Sequence, residues 1–457
     1  MKPTLALALT LAASASAAHL PRQSPAGAAA VDLSSTRGPA QSLASGFLYG
    51  FPDNGTSPST HIPPSLVTPL KLPASRGGGS QLPAPDLGWA VGGYDSYVAR
   101  FESALSNYRT TRMYGGDFIL LVSDLWGSDG VDDSGGYYPG DGGDWEDVEA
   151  FWAQLLKDIS ENDMVEGLVF DVWNEPDIEQ FWNRTWDQYL ELYVRSHNFV
   201  RDNLPELQIC GPSFANSPAL DDTHWSTWLS TIAENDIIPD IYSWHHIGGQ
   251  APDPAAADFA SLLETHGLPQ RPVDVNEYAW PEQQNGAHTA WYIAQLERNE
   301  MRGLRANWAM GPELHDFMAN LVFREDGEYK PTGEWYLYEY YASMVGERAA
   351  SEASEDGLFD AFAVVQEDGT TKIIAGTASV VEPYEISISG LSALGLEEEG
   401  EVEVRTIRFD YEGIDVDTGG PVDLGTETLA YSEDTLTILL DPPNNRTGFA
   451  YEIFGGQ

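Results

Sequence analysis

The chain has 457 residues, with 71 Asp and Glu against 23 Lys and Arg, and a formal net charge of −48. At 42% hydrophobic and 11% aromatic it is ordinary for a folded globule and too apolar for a disordered chain. So acidic a surface makes nucleic acid and membrane surfaces poor partners, and the single cysteine, Cys210, excludes an intramolecular disulfide framework and any cysteine-based zinc cluster.

In chain order, Lys2 precedes an apolar run from Leu5 to Ala13 and a small-residue stretch from Ser14 to Ala18. This is the order of a secretory signal over residues 1–18, with cleavage expected after Ala17 or Ala18; the run is too short to span ~30 Å of hydrocarbon. The sequons at Asn54, Asn183 and Asn445 suit a secreted, extracellular, glycosylated protein. In the N-terminal segment 19–45, Ser24 to Pro39 is small and polar apart from a strand-like run at Ala30–Leu33, which is expected to pair with the C-terminal part of the chain.

Between residues 46 and 346, apolar runs alternate with amphipathic stretches. The runs are Gly46–Gly50, Val67–Leu72, Phe118–Val122, Val165–Trp173, Leu207–Gly211, Ile241–His245, Val273–Tyr278 and Leu304–Met310. Helical patterns lie between them at Trp145–Ile159, Thr185–Val200, Thr223–Ala233, Asp258–His266 and Ala287–Arg302, and a last one at Trp335–Val345. Continuous apolar runs indicate strands buried on both faces, and their alternation with helices indicates a parallel sheet. Eight such units in about 300 residues predict an α/β fold, a (β/α)8 barrel. From residue 347 to 457 the runs Ala361–Val365, Thr371–Ala375, Glu385–Ser389, Val402–Phe409 and Thr435–Leu440 are separated by Gly, Asp and Asn turns. They predict an appended antiparallel β-sandwich, with Glu397–Glu399 on a solvated face.

In such a barrel the chemistry sits at the C-terminal ends of the strands. The fourth run passes straight into Trp173-Asn174-Glu175-Pro176, and Pro176 disfavours a helical backbone at Glu175. The seventh, Val273 to Tyr278, ends on Asn276-Glu277-Tyr278. Two carboxylates facing each other across the mouth suit a glycosidic bond. The leaving oxygen needs a proton from one side, and the anomeric carbon needs an electron pair from the other. Period-2 alternation, however, puts Asn174 and Glu175 on opposite faces unless the strand has already ended or twisted there.

These two segments resemble clan A glycoside hydrolases, most closely family 39, the β-xylosidase and α-L-iduronidase type, in a fungal-looking secreted form. The resemblance covers the mature chain in architecture but only two short segments in residues. It implies a retaining mechanism without a cofactor, on a carbohydrate substrate, in which Glu175 is the acid/base, Glu277 the nucleophile and Asn174 a ligand of the sugar 2-hydroxyl. The carboxyl groups are then expected about 5–5.5 Å apart.

Further substrate-binding candidates are His245 and His246, one of which could contact substrate or orient Glu277 unless both are structural. Trp308 could form a platform beneath a sugar ring, and Arg76, before Gly77-Gly78-Gly79, could hold Glu277 ionised. Tyr278 could donate to Glu277, subject to the same alternation, and Trp126, with Tyr137, Tyr138 and Trp145, could wall further sugar units. No H-E-x-x-H or comparable ligand spacing marks a metal site. The acids Asp129, Asp132, Asp133, Asp141 and Asp144 do not have the spacing of an EF-hand. Cys210 reads as a core residue. Two rivals remain open at this point: a glycosidase directed at uronic acids, for which Arg76, Arg112 or Arg305 would have to serve, and an inactive carbohydrate-binding protein on the same fold.

Overall fold

A computed structural model describes residues 24–129, 137–248 and 250–455. The expected signal segment, 1–18, and the acids Asp132 and Asp133 lie outside the described residues. Numbered in chain order, β1 (Ala28–Pro39) precedes the barrel strands β2 (Gly46–Leu48), β3 (Ala74–Gly77), β4 (Asp117–Leu121) and β5 (Leu168–Asp171). The barrel continues through β6 (Gln208–Phe214), β7 (Ile241–His246), β8 (Val273–Tyr278) and β9 (Met301–Arg305). The eight strands from β2 to β9 pair in parallel and in sequence order, and β9 closes on β2. The expected (β/α)8 barrel is borne out.

One barrel strand lies elsewhere than the apolar pattern indicates. Val67–Leu72 is not the second strand: Pro64–Val67 is a helical turn and Thr68–Leu70 a 3₁₀ turn. Pro64 and Pro69 occupy first turns, where a missing N–H is harmless. The strand is Ala74–Gly77, polar because Arg76 points into the barrel. The last strand likewise ends at Arg305, so Trp308 stands in the loop beyond it. A hairpin of β10 (Val322–Glu325) and β11 (Glu328–Pro331) follows, and then the helix Gly333–Ala342.

Inside the barrel, Ala74, Ile119, Val169, Cys210, Ile241 and Leu304 form a buried apolar plug, one residue from each of six strands. Cys210 is thus a core residue. Nearer the C-terminal ends of the strands the interior turns polar, and the candidate site is built there.

The C-terminal strands are β12 (Glu347–Glu352), β13 (Phe359–Val365), β14 (Thr371–Thr377), β15 (Tyr384–Ser389), β16 (Gly400–Phe409), β17 (Val422–Tyr431), β18 (Thr435–Leu440) and β19 (Gly448–Ile453). With β1 they make one hydrogen-bonded sheet in the order β17-β16-β19-β14-β13-β12-β1-β15-β18. Strands β17 and β18 lie at opposite edges, yet only Ser432, Glu433 and Asp434 separate them in sequence. Three residues reach at most roughly 14 Å, so the sheet must curl until its edges meet, enclosing its own core of Val31, Ile373, Ile386, Ile438 and Ile453. The β1 strand runs antiparallel to β12 and parallel to β15.

The helix Gly286–Arg298 joins the two parts. Its side chains are almost all buried, and its Arg298 guanidinium pairs with the fully buried Asp360 of β13. Gly376 of β14 abuts the carbonyl of Ala287, where a Cβ would come within 2.0 Å, so only glycine permits this approach.

Candidate active site

Five strands, β3 and β5 to β8, bring the site together. Arg76 of β3 is completely buried and spends its fork on three groups. Its Nε donates to Asp171 of β5 at 2.9 Å, Nη1 to Glu277 of β8 at 2.6 Å, and Nη2 to the Asn174 side-chain oxygen at 2.8 Å. Asp171 accepts a further bond from Ser213 Oγ at 2.8 Å, and Asn276 donates to both residues. A planar guanidinium held this way fixes the Glu277 carboxylate from beneath and neutralises it.

The alternation problem is resolved by backbone irregularities. Strand β5 ends at Asp171, three residues before Asn174, so Glu175 obeys no pleat. Nor is Glu175 extended, as its place before proline suggests: its φ is +46°, in the left-handed region, and its N–H donates to the carbonyl of Ser213 at 2.9 Å. Such a conformation costs about 1–2 kcal/mol in a non-glycine residue, and here it turns the side chain over the mouth. On β8 the ladder to β9 is interrupted between Val275 and Tyr278. The bulge lets consecutive residues, Asn276 and Glu277, both reach barrel-interior partners.

Glu175, His245 and Glu277 each present one atom within 4.8 Å of the others. His245 Nδ1 lies 2.7 Å from a Glu175 oxygen, and its Nε2 lies 3.7 Å from Glu277. Burial pushes the imidazole down to about 4, so it is neutral. Burial also pushes Glu175 up to about 7, with only a weak opposing pull from Arg76, which touches Glu277 instead. Glu277 is raised by burial as well, but His245 and Arg76 oppose the rise. When the pair carries a single charge, the guanidinium holds it on Glu277, leaving the proton on Glu175, where Nδ1 of His245 can accept its hydrogen bond. These three residues are also the only group among the described residues whose ligand atoms converge as a metal would require. Arg76 already supplies the positive charge at that point, so the set does not have the donor excess of a cation site.

The carboxylates open into a cleft of about 440 Å³. Trp308 lies on its wall with its ring stacked on Trp280 at 4.8 Å and 15°, and its Nε1 donates to the Ala279 carbonyl. Asn174 also lines the cleft.

Three candidates lie elsewhere. The Tyr278 hydroxyl donates to the Ala44 carbonyl at 2.8 Å and meets Tyr338 at 2.6 Å on the outside of the barrel, because alternation turns it away from Glu277. His246 is likewise turned outward from His245, toward Tyr292 and a second cavity. Trp126 is buried against Phe151, with its Nε1 bonded to the Tyr137 carbonyl, and does not line the cleft. In the loop beside it, Asp129 is bound by Arg100 and Asp141 by Arg184.

Sequence reasoning passed over Asp171, Tyr49, Asp124, Trp280 and Asn307. Tyr49 and Asp124 hydrogen-bond each other on the cleft wall, and burial raises Asp124 to about 6. An acid ending an apolar strand, as Asp171 does, was a legible signal. Tyr49 and Asp124 belong to segments that meet only in the fold.

A closed (β/α)8 barrel with two glutamates at the ends of its fourth and seventh strands and a β-sandwich behind it is the architecture of clan A glycoside hydrolases. The comparisons agree. Residues 132–256 match the model of glycosyl hydrolases family 39, a segment that includes Glu175 and stops short of Glu277. The solved structure of N2152 from Neocallimastix frontalis is similar with a TM-score of 0.74 and 18% identity, covering 94% of this chain and all of that one. A monomeric β-xylosidase from Caulobacter crescentus CB15 is similar with a TM-score of 0.56 and 16% identity, again over 94% of this chain and all of that one. A curated 3-O-alpha-D-galactosyl-alpha-L-arabinofuranosidase of Bifidobacterium longum subsp. longum is 22% identical over 314 residues, 58% of this chain. The chain spans about a quarter of that relative's length, 26%. The resemblance to family 39 in clan A is borne out.

Proposed function

We propose that the protein is a secreted, retaining O-glycoside hydrolase of β-xylosidase-like specificity, acting on oligosaccharides or polysaccharides by a two-glutamate double displacement that needs no cofactor. The observation that carries the reading is the charge division in the pair. Glu277 lies on Arg76 at 2.6 Å, while Glu175, with no cation in contact, lies within 4.8 Å of it. That separation fits a retaining pair; an inverting pair needs about 6.5 Å or more to admit a water. Glu277 attacks the anomeric carbon as Glu175 gives its proton to the leaving oxygen. Glu175, now a carboxylate, takes a proton from the water that releases the sugar from the Glu277 ester, and the site is restored. His245, neutral between the two, orients Glu175.

The relatives' names support a pentoside substrate, a β-xyloside or an α-L-arabinofuranoside. A uronic-acid substrate lacks a receptor. Arg76 is consumed, Arg112 pairs with Asp117 and Glu166, Arg305 pairs with buried Glu334, and among the described residues no Lys or Arg lines the cleft. Export is supported by the apolar run Leu5–Ala13 and by the exposure of Asn54, Asn183 and Asn445. No helix of the described residues is long and apolar enough to cross a membrane.

The test is a panel of aryl glycosides at mildly acidic pH, followed by two variants. Glu277→Ala is expected to turn over none of them. Glu175→Ala is expected to form the glycosyl-enzyme from activated aryl leaving groups, accumulate it, and release a glycosyl azide of retained configuration when azide is added. Rescue of Glu277→Ala with retention would reverse the roles, and an inactive wild type would leave the binding-protein reading.

A further inference from the structure

We infer that the cleft continues into a distal chamber between barrel and β-sandwich, where a neutral sugar unit of the same oligosaccharide chain is bound. This rests on the glycosidase reading and extends it to chain-length preference.

Three cavities adjoin. Ala215, Asn216 and Ile247 line both the catalytic cleft and a groove of about 220 Å³ over the ends of β6 and β7. Gly248 and Gln250 line both that groove and a chamber of about 480 Å³. A chain leaving the cleft along this line therefore passes from one cavity to the next over shared walls.

The chamber is lined as a sugar site would be. The helix Gly286–Arg298 contributes an aromatic corner. His288 stacks on Tyr292 at 5.0 Å and 25°, and Trp291 stands at 76° to the Tyr292 ring. The three rings are 2–5% exposed, and the little surface they leave open borders the chamber with apolar atoms suited to the C–H side of a pyranose or furanose. Beside them two buried polar atoms have no partner among the described residues, Nδ1 of His246 and Oε1 of Gln250. His246 is only 3% exposed. The Gln250 amide nitrogen is tied to Asp258 at 3.0 Å, which fixes its carbonyl oxygen as a free acceptor. Hydroxyl groups, each both donor and acceptor, match an unpaired imidazole nitrogen and an unpaired amide oxygen.

The charge on the walls defines the class of ligand. Asp253, Glu355 and Asp356 line the chamber, and among the described residues no Lys or Arg does. An anionic sugar would meet repulsion without compensation, so the ligand is neutral. The chamber is also tied to the catalytic rim: Gln283 Oε1 accepts from the Tyr292 hydroxyl at 3.0 Å and from the Trp280 N–H at 2.8 Å. The alternation that sends His245 to the carboxylates sends His246 here.

The experiment uses the full chain with Glu277→Gln, so that substrates bind without turnover, and titrates it calorimetrically with xylooligosaccharides of increasing length and with xylose. Affinity is expected to rise by about tenfold or more at the length that crosses cleft and groove and reaches the chamber. Gln250→Ala, which removes the acceptor, and Ala353→Trp, which fills the chamber from the loop before β13, should each remove the gain, with xylose affinity as the internal control. Affinity independent of length, or a length gain that survives both substitutions, would overturn the chamber and leave a cavity that holds water. Aryl glycoside turnover by the wild type is scored separately. Turnover without a length gain sinks only this inference, whereas absence of turnover sinks the hydrolase reading.

Discussion

Replacing Glu175 by glutamine should stabilise the fold at neutral and alkaline pH while removing its acid. Burial raises the Glu175 carboxyl from 4.5 to about 7, a change worth about 3 kcal/mol. The raised value means the folded state holds the proton more tightly than the unfolded chain does. That contribution is fully present below about pH 4.5 and is lost as pH rises through about 7, beyond which a buried carboxylate burdens the native state. Glutamine has the same shape and does not titrate. Its folding free energy should therefore match the wild type near pH 4 and exceed it by up to about 3 kcal/mol near pH 8. The left-handed backbone at position 175 is common to both proteins and cancels; Glu175→Gly relieves about 1 kcal/mol of it but strands Nδ1 of buried His245, so it should be no more stable than Glu175→Gln. Urea denaturation of the three proteins across this range measures the effect. In parallel, wild-type kcat/KM should fall tenfold per pH unit above about 7 as the acid is lost, and this limb should be absent from Glu175→Gln acting on activated aryl glycosides. Stability differences that do not vary with pH, or a wild type that is the more stable at pH 8, would refute the reasoning.

Arg76→Lys keeps the charge but not the fork that serves Asp171, Glu277 and Asn174 together. Its kcat on an aryl glycoside should fall by roughly a hundredfold or more. Arg76→Met, which strands buried carboxylates, should cost about 3–5 kcal/mol in denaturation. Arg298→Ala strands Asp360, which burial holds at about 6, at the junction of the two parts. Chemical denaturation should show a loss of about 3 kcal/mol, smaller below pH 6, where Asp360 takes up a proton.

Much of this was legible in the sequence because it is local. Runs such as Leu168–Phe170 and Ile241–Trp244 are apolar because they are buried on both faces, and the same composition that buries them declares a parallel strand. The strand end at Trp173–Pro176 could be recognised for the same reason, since its chemistry is written in contiguous residues. The second barrel strand was hidden because Ala-Ser-Arg-Gly carries no apolar signal. Its arginine serves three partners 95 to 201 residues away. The missed strands β12, β17 and β19 lie in the curled sheet. There β17 is mostly exposed, and its residues carry the polar pattern of solvent contact.

The sequence by itself determined the barrel, the sandwich and the two strand ends that carry glutamate, since each follows from the burial pattern of a short segment. Which neighbours of those glutamates reach the cleft was decided only by the tertiary structure. Asn174 lines it and His245 reaches Glu175, whereas Tyr278 and His246 turn away, because bulges, one left-handed residue and the closure of the barrel set the direction of each side chain. The division of charge within the pair was decided there too. A pKa depends on which cation touches which oxygen, and Arg76 meets Glu277 only when β3 and β8 face each other across the closed barrel.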